Sequence, residues 1–177
     1  MQSVQCEDIA TPRLNLIAIT PATLLSEQRD DHQLGELIQC SIPPNWPPVD
    51  WEPHVLAILL RQFALYPEQI GWHRYLALRC GDGSRALIGC AGAFWRDTAP
   101  AECEIGYSIQ PPHEGQGLAT EATAALIGHL RRESRLTSVI AHTFPHLLGS
   151  IRVMEKCGLV FEGAGAEEGT IRYRLRW

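Results

Sequence analysis

The chain has 177 residues, 45% of them hydrophobic and 20% charged, which is enough apolar material for one well-filled core and too little length for two ordinary domains. A net charge of -5 argues against an obligate nucleic-acid partner, because neutralising phosphates needs a basic face. Six cysteines without any C-x-x-C spacing signal neither a zinc site nor a disulfide framework, and no apolar run approaches the roughly 20 residues that cross a bilayer. The expectation is one cytoplasmic domain over 1–177, with no metal, no membrane and no nucleic acid.

In chain order, Leu14 to Thr20 is an apolar, β-branched run ended by Pro21 and reads as a first strand. Residues 22–40 read as two short helices around the polar cluster Gln28 to Gln33. The segment from Ser41 to Trp51 holds four prolines, which fix φ and remove donors, so it is a loop carrying two large aromatics. Trp46 and Trp51 either plug the core or form a substrate-facing wall. Glu52 to Tyr66 has a helical stripe of Val55, Leu56, Leu59, Leu60 and Phe63, stopped by Pro67.

Arg74 to Arg79 and Ala86 to Trp95 read as an antiparallel pair joined by the turn-permissive Gly81-Asp82-Gly83-Ser84. Glu102 to Ile109 alternates with period two, so Glu102 and Glu104 share one face of a strand. Leu118 to about Arg132 is a helix with Leu118, Ala122, Leu126 and Leu130 stacked at i, i+4 spacing. Ser138 to Thr143 is a strand, Leu147 to Cys157 a helix stopped by Gly158, and Leu159 to Ala164 with Thr170 to Trp177 a closing hairpin.

The densest chemistry lies between the strand at 102–109 and the helix at 118, in Gln110-Pro111-Pro112-His113-Glu114-Gly115-Gln116-Gly117-Leu118-Ala119-Thr120. Glycines there allow a tight turn and a close ligand approach, and the helix start offers unsatisfied N–H groups at a positive dipole end. An anionic pyrophosphate suits such a cradle. Thr120 stands where a dinucleotide fingerprint needs its third glycine, and no Gly-Lys-Ser/Thr of a P-loop is present.

A second block, Ser150-Ile151-Arg152-Val153-Met154-Glu155-Lys156-Cys157-Gly158-Leu159 followed by Val160-Phe161-Glu162-Gly163, completes a pattern. Together with the glycine loop and the opening Thr11-Pro12-Arg13-Leu14-Asn15-Leu16, it resembles the GNAT superfamily of acyl-CoA-dependent N-acyltransferases. The nearest branch is the one acting on ribosomal-protein N-termini. The resemblance implies an α/β (α+β) fold, a mixed, mostly antiparallel central sheet of about seven strands flanked by about four helices. It also implies acetyl-CoA as cosubstrate and an amine acceptor, a protein N-terminus or a small molecule. A homodimer through the terminal strands is compatible with it.

By the same resemblance, the backbone of Tyr107, Ser108 and Ile109 would pair with the pantetheine arm at a splay between strands, and Gly115, Gln116, Gly117, Leu118, Ala119 and Thr120 would hold the pyrophosphate. Two positions depart from the family: Glu114 replaces an Arg or Gln, and Leu147 an Asn. Either Glu114 points to solvent or cofactor affinity is lowered. Glu104 is the candidate base, its basicity raised by Glu102 and partial burial, or else a sheet-face carboxylate paired with an arginine. The family tyrosine that protonates the thiolate falls on Met154, which has no proton to give. Ser150 is then the candidate acid, with helix cap or cofactor contact as its alternatives. A catalytically silent acyl-CoA sensor is the competing function.

Overall fold

The computed structural model describes residues 6–29, 33–49, 51, 53–95 and 99–177. Glu52, the expected start of the third helix, lies outside the described residues, as do residues 30–32 of the polar cluster expected between the first two. The elements run β1 (Ile9–Ala10), β2 (Leu14–Ala18), α1 (Pro21–Arg29), α2 (Leu34–Ile38), α3 (Pro53–Leu65), β3 (Arg74–Arg79), β4 (Arg85–Trp95), β5 (Glu102–Ile109), α4 (Leu118–Leu130), β6 (Ser138–Thr143), α5 (Leu148–Lys156), β7 (Val160–Ala164) and β8 (Ile171–Arg176). This is the mixed α/β fold expected, with one more strand and one more helix than the approximate counts. The additional strand is β1, whose two residues are too few to show any period.

Local rules account for the boundaries. Pro67 ends α3, and its stripe of Leu56, Leu59 and Phe63 is buried. The end of α5 is a Schellman motif: Gly158 takes φ +87°, its N–H donates to the Glu155 carbonyl at 3.0 Å, and the Leu159 N–H donates to Met154 at 3.0 Å. The turn between β3 and β4 closes through the Ser84 N–H and Oγ, both donating to Asp82 Oδ1.

The strands form one sheet in the order β1-β2-β3-β4-β5-β6-β8-β7, antiparallel everywhere except between β5 and β6, which the crossover helix α4 connects. Alternation along β2 sends Leu14 and Leu16 to one face and Ile17 and Ile19 to the other. The first face packs with Leu76, Ile88, Leu118, Ala122, Leu126 and Met154 under α4 and α5. The second packs with Leu24, Ile38, Leu59, Phe63, Tyr75 and Leu87 under α1, α2 and α3. Each fully buried leucine contributes about 1.5–3 kcal/mol, so both layers hold the helices onto the sheet.

Register carries that second face onward. Phe94 packs against the α1–α3 cluster and pairs with Glu104, Glu104 pairs with Ile140, and Ile140 with Arg174. His142 and its partner Arg172 share the same face two residues further along. On β5, β6 and β8 the α1–α3 side is therefore a charged surface rather than an apolar one.

Candidate active site

Among the described residues, β5 pairs with β6 only at Glu102, Cys103 and Glu104. Beyond that point Ile105–Ile109 pair with β4 on one side, while Ala141–Thr143 pair with β8. The two central strands diverge, and the edge of β5 that faces β6 presents main-chain N–H and C=O groups to a slot. Tyr107, Ser108 and Ile109 lie on that edge. The Tyr107 side chain reaches toward α5, where its hydroxyl donates to the Ser150 carbonyl at 2.9 Å and stands 3.2 Å from Ser150 Oγ. Burial lifts the Tyr107 hydroxyl to about 12, so it keeps its proton near neutral pH.

At the far end of β5 the chain turns through Pro111–His113 into the glycine loop. Gly115 and Gly117 adopt φ of +71° and +76°, left-handed values that a side chain rarely accepts. The first helical bond of α4 runs from the Glu121 N–H to the Gly117 carbonyl at 3.0 Å, so the N–H groups of Leu118, Ala119 and Thr120 precede the helical ladder. Leu118 buries its side chain in the core and pins the helix start, whereas Gly115, Gln116 and Gly117 are exposed. The Thr120 carbonyl accepts from Cys157 Sγ at 3.6 Å, tying α4 to α5. Glu114 is exposed, in keeping with the solvent-pointing alternative for its charge.

The loop is braced from the start of the chain. Arg13 Nη1 donates to the Gln116 carbonyl at 2.9 Å and its Nε to Glu121 Oε2 at 2.7 Å, while the Arg13 N–H and Thr11 hydroxyl donate to Glu121 Oε1 at 2.8 and 2.6 Å. Burial pushes the Glu121 carboxyl up, but the bonds from Thr11 and Arg13 outweigh it and leave it below its ordinary value. Glu121→Ala removes both carboxylate oxygens, and with them the three bonds from Thr11 and Arg13, at once. The expected result is about 1–3 kcal/mol less stability, with weakened loop-dependent ligand binding, read by thermal unfolding with and without coenzyme A.

The two carboxylates of β5 share a face, and the structure separates their roles. Glu102 forms an ion pair with Arg174 of β8, its Oε2 also accepting from Ser138 Oγ at 3.2 Å. Its charge is therefore compensated by the Arg174 guanidinium. Glu104 has a histidine partner: Oε1 lies 2.7 Å from His142 Nδ1. This contact spans the point where β5 and β6 part.

Ser150 is the third residue of α5, whose N-cap is Leu147 without a side-chain cap, so the cap alternative for Ser150 does not hold. Met154 is fully buried and turned into the core. Trp51 is also buried, and both indoles donate to Glu27 Oε1, at 2.7 Å from Trp46 and 2.8 Å from Trp51. The Tyr75 hydroxyl completes the cluster by donating to Glu27 Oε2 at 2.6 Å. Trp51 is thus part of a plug, while Trp46 keeps a half-buried rim position. Asn45 and Gln110 tie this loop to the end of β5, through an Asn45 Nδ2 to Gln110 Oε1 bond of 2.6 Å.

Sequence reasoning missed His142 and the hydroxyl of Tyr107. The period of β6 places His142 on the face of Ser138 and Ile140, but only the parallel register with β5 brings it to Glu104.

Compared with known proteins, residues 25–160 match the acetyltransferase (GNAT) domain family. The chain is similar to the probable N-acetyltransferase YjcK of Bacillus subtilis (strain 168), with 39% identity over 59 residues. That match spans 33% of this chain and 33% of the relative, so the similarity reaches about a third of the curated protein's length. Among solved structures, the ribosomal L7/L12 alpha-N-protein acetyltransferase RimL in complex with coenzyme A superposes with a TM-score of 0.64 at 16% identity, covering 96% of this chain and 98% of that one. A ribosomal-protein-S5-alanine acetyltransferase from Vibrio fischeri superposes with a TM-score of 0.64 at 17% identity, covering 97% of each chain. At those identities the structures speak to the fold.

Proposed function

Since the chain belongs to the acetyltransferase (GNAT) family, we propose that it transfers an acetyl group from acetyl-CoA to a primary amine by direct attack in a ternary complex. The observation that carries this reading is the layout of β5: a carboxylate where the strands part, an open main-chain edge from Ile105 to Ile109, then the left-handed glycine cradle. Ile109 is five steps along the strand from Glu104, about 17 Å, so the cradle and the carboxylate serve opposite ends of one extended ligand.

In this reading the main chain of Tyr107, Ser108 and Ile109 holds the pantetheine arm. Gly115, Gln116, Gly117, Leu118, Ala119 and Thr120 hold the pyrophosphate through backbone donors at the helix N-terminus. The amine enters on the charged α1–α3 side, with Trp46 on the rim of its site, and must be neutral to attack. Glu104 supplies the negative charge that removal of the amine proton requires. Sulfur departs toward the Tyr107 and Ser150 hydroxyls, which can return a proton to it; a thiol of pKa about 8.5 needs little help in leaving. A peptide N-terminus, the acceptor class named for RimL, and a small amine both suit this site.

Thermal unfolding with saturating acetyl-CoA, coenzyme A, ATP and NAD tests the cosubstrate first. A ligand at 100 times its Kd stabilises by about 2.7 kcal/mol, and a shift with the two CoA species alone is expected. Release of free thiol with a panel of amines and peptides then tests transfer. Stabilisation without thiol release from any acceptor would instead mark an acyl-CoA sensor.

A further inference from the structure

We propose that His142 is the general base of this reaction, with Glu104 as the carboxylate that orients it; the proposal rests on the acetyltransferase reading above. Two observations meet at this side chain. Its Nδ1 lies 2.7 Å from Glu104 Oε1, a distance that requires a shared proton, since a carboxylate has only lone pairs to offer. Its other nitrogen, Nε2, is buried and has no hydrogen-bond partner among the described residues.

The tautomer follows from the chemistry. With the Nδ1–H donating to Glu104, a neutral ring keeps its lone pair on Nε2. A buried acceptor without a partner is tolerated more readily than a buried donor without one, which favours the same assignment. The result is a base whose reactive atom is defined by the bond made at its other nitrogen, the logic by which a carboxylate orients a histidine in acyl transfer. Of the two side chains, the imidazole is the one with a lone pair left over after their mutual bond and pointing away from it, which suits it to accept the amine proton.

The surroundings fit this role. Glu104 faces the ring from β5, and Arg172, the register partner of His142 on β8, is turned toward Glu162 with Nη2 to Oε2 at 2.9 Å. Beside Cδ2, the ring carbon next to Nε2, lies Gly165, in the turn between β7 and β8. A Cβ at Gly165 would stand 2.9 Å from His142 Cδ2 and 2.1 Å from Thr170 Oγ1, so only glycine lets the turn close on the imidazole. Gly163 and Gly169 at its ends take φ of +123° and +80°. For an acceptor to reach Nε2 in this proposal, the turn has to move aside.

The step balances without any further reactant. The amine nitrogen bonds to the acetyl carbon, its proton passes to Nε2, and the carbon–sulfur bond breaks with its electron pair on sulfur. Sulfur takes a proton from the Tyr107–Ser150 hydroxyls, which recover one from solvent, and the imidazolium releases its proton to solvent. Glu104 stays ionised throughout and stabilises the imidazolium.

Two measurements test this. In wild-type protein with ¹⁵N-labelled histidine, the ring signals of His142, identified by their loss in His142→Gln, should report the Nδ1–H tautomer. A ring protonated at Nε2 in its neutral form overturns the proposal, whatever the activity. In steady-state kinetics, His142→Gln should lower kcat by about 10²- to 10⁴-fold with acetyl-CoA affinity unchanged, and its pH–rate profile should lose one ionisation. Turnover at the wild-type rate with an unchanged profile would overturn the proposal and leave the acetyltransferase reading standing. Absence of turnover in the wild type itself, with every amine tried, would fell both. If His142→Gln does not fold, the wild-type tautomer and the imidazole rescue of His142→Gly decide.

Discussion

Glu104→Gln is expected to bind acetyl-CoA as the wild type does and to transfer its acetyl group about 10²- to 10⁴-fold more slowly. The substitution keeps the size of the side chain and keeps an oxygen that can accept from the His142 Nδ1–H. What it removes is one negative charge, at the point where β5 and β6 part. If transfer needs a cation to form transiently on the imidazole, or a proton to move to the carboxylate itself, that charge is required in the transition state and not in the ground state. Loss of such an interaction lowers kcat and kcat/KM together while leaving cosubstrate binding alone. Glu104 stands at the opposite end of the exposed β5 edge from the glycine loop, which is why cosubstrate affinity should not change. Single-turnover acetyl transfer and titration with acetyl-CoA separate the two quantities. A variant with undiminished transfer would remove Glu104 from the chemistry, and one with lost acetyl-CoA affinity would mean that the carboxylate shapes the slot instead.

The contrast between Glu102 and Glu104 shows where a sequence stops being legible. Period-two alternation correctly puts both on one face, because that depends on neighbouring residues alone. Their fates diverge through partners 36 to 72 positions away: Ser138 and Arg174 for Glu102, His142 for Glu104. Those pairings are set by the registers of β5 with β6 and of β6 with β8, which no local pattern encodes. The same division holds for the fold. Ser138–Thr143 and the Gly158 stop are readable because their signals are local, and β1 is invisible because two residues cannot express a period. The tryptophans of the proline loop illustrate a third case. Their apolar bulk is plain in the sequence, but the burial of Trp51 depends on Glu27, a carboxylate in α1 that accepts from both indoles and from Tyr75.

Gly117→Val should weaken coenzyme A binding by about 10²- to 10⁴-fold while leaving the fold intact. The site has room: the nearest atom to a Cβ at Gly117 is Arg13 Nη2 at 3.6 Å, an ordinary contact. Space is therefore not what the glycine provides. Its φ of +76° is, since a left-handed conformation costs a side chain about 1–2 kcal/mol and is a genuine outlier for a β-branched one. The exposed loop can relieve that strain only by rotating the backbone, which turns the N–H groups ahead of α4 away from a common focus. Hydrogen bonds to a charged partner contribute about 1.5–3 kcal/mol each, so misdirecting two of them weakens binding by about 10²- to 10⁴-fold. Gly117→Ala, strained but not β-branched, should fall between the two. Because Leu118, the next residue, is anchored in the core, the helix itself should persist and the melting temperature without ligand should fall only slightly. Calorimetric titration with coenzyme A alongside thermal unfolding distinguishes this from general damage. Normal affinity in a folded Gly117→Val protein would mean that phosphates are held elsewhere, and with them the rest of the ligand.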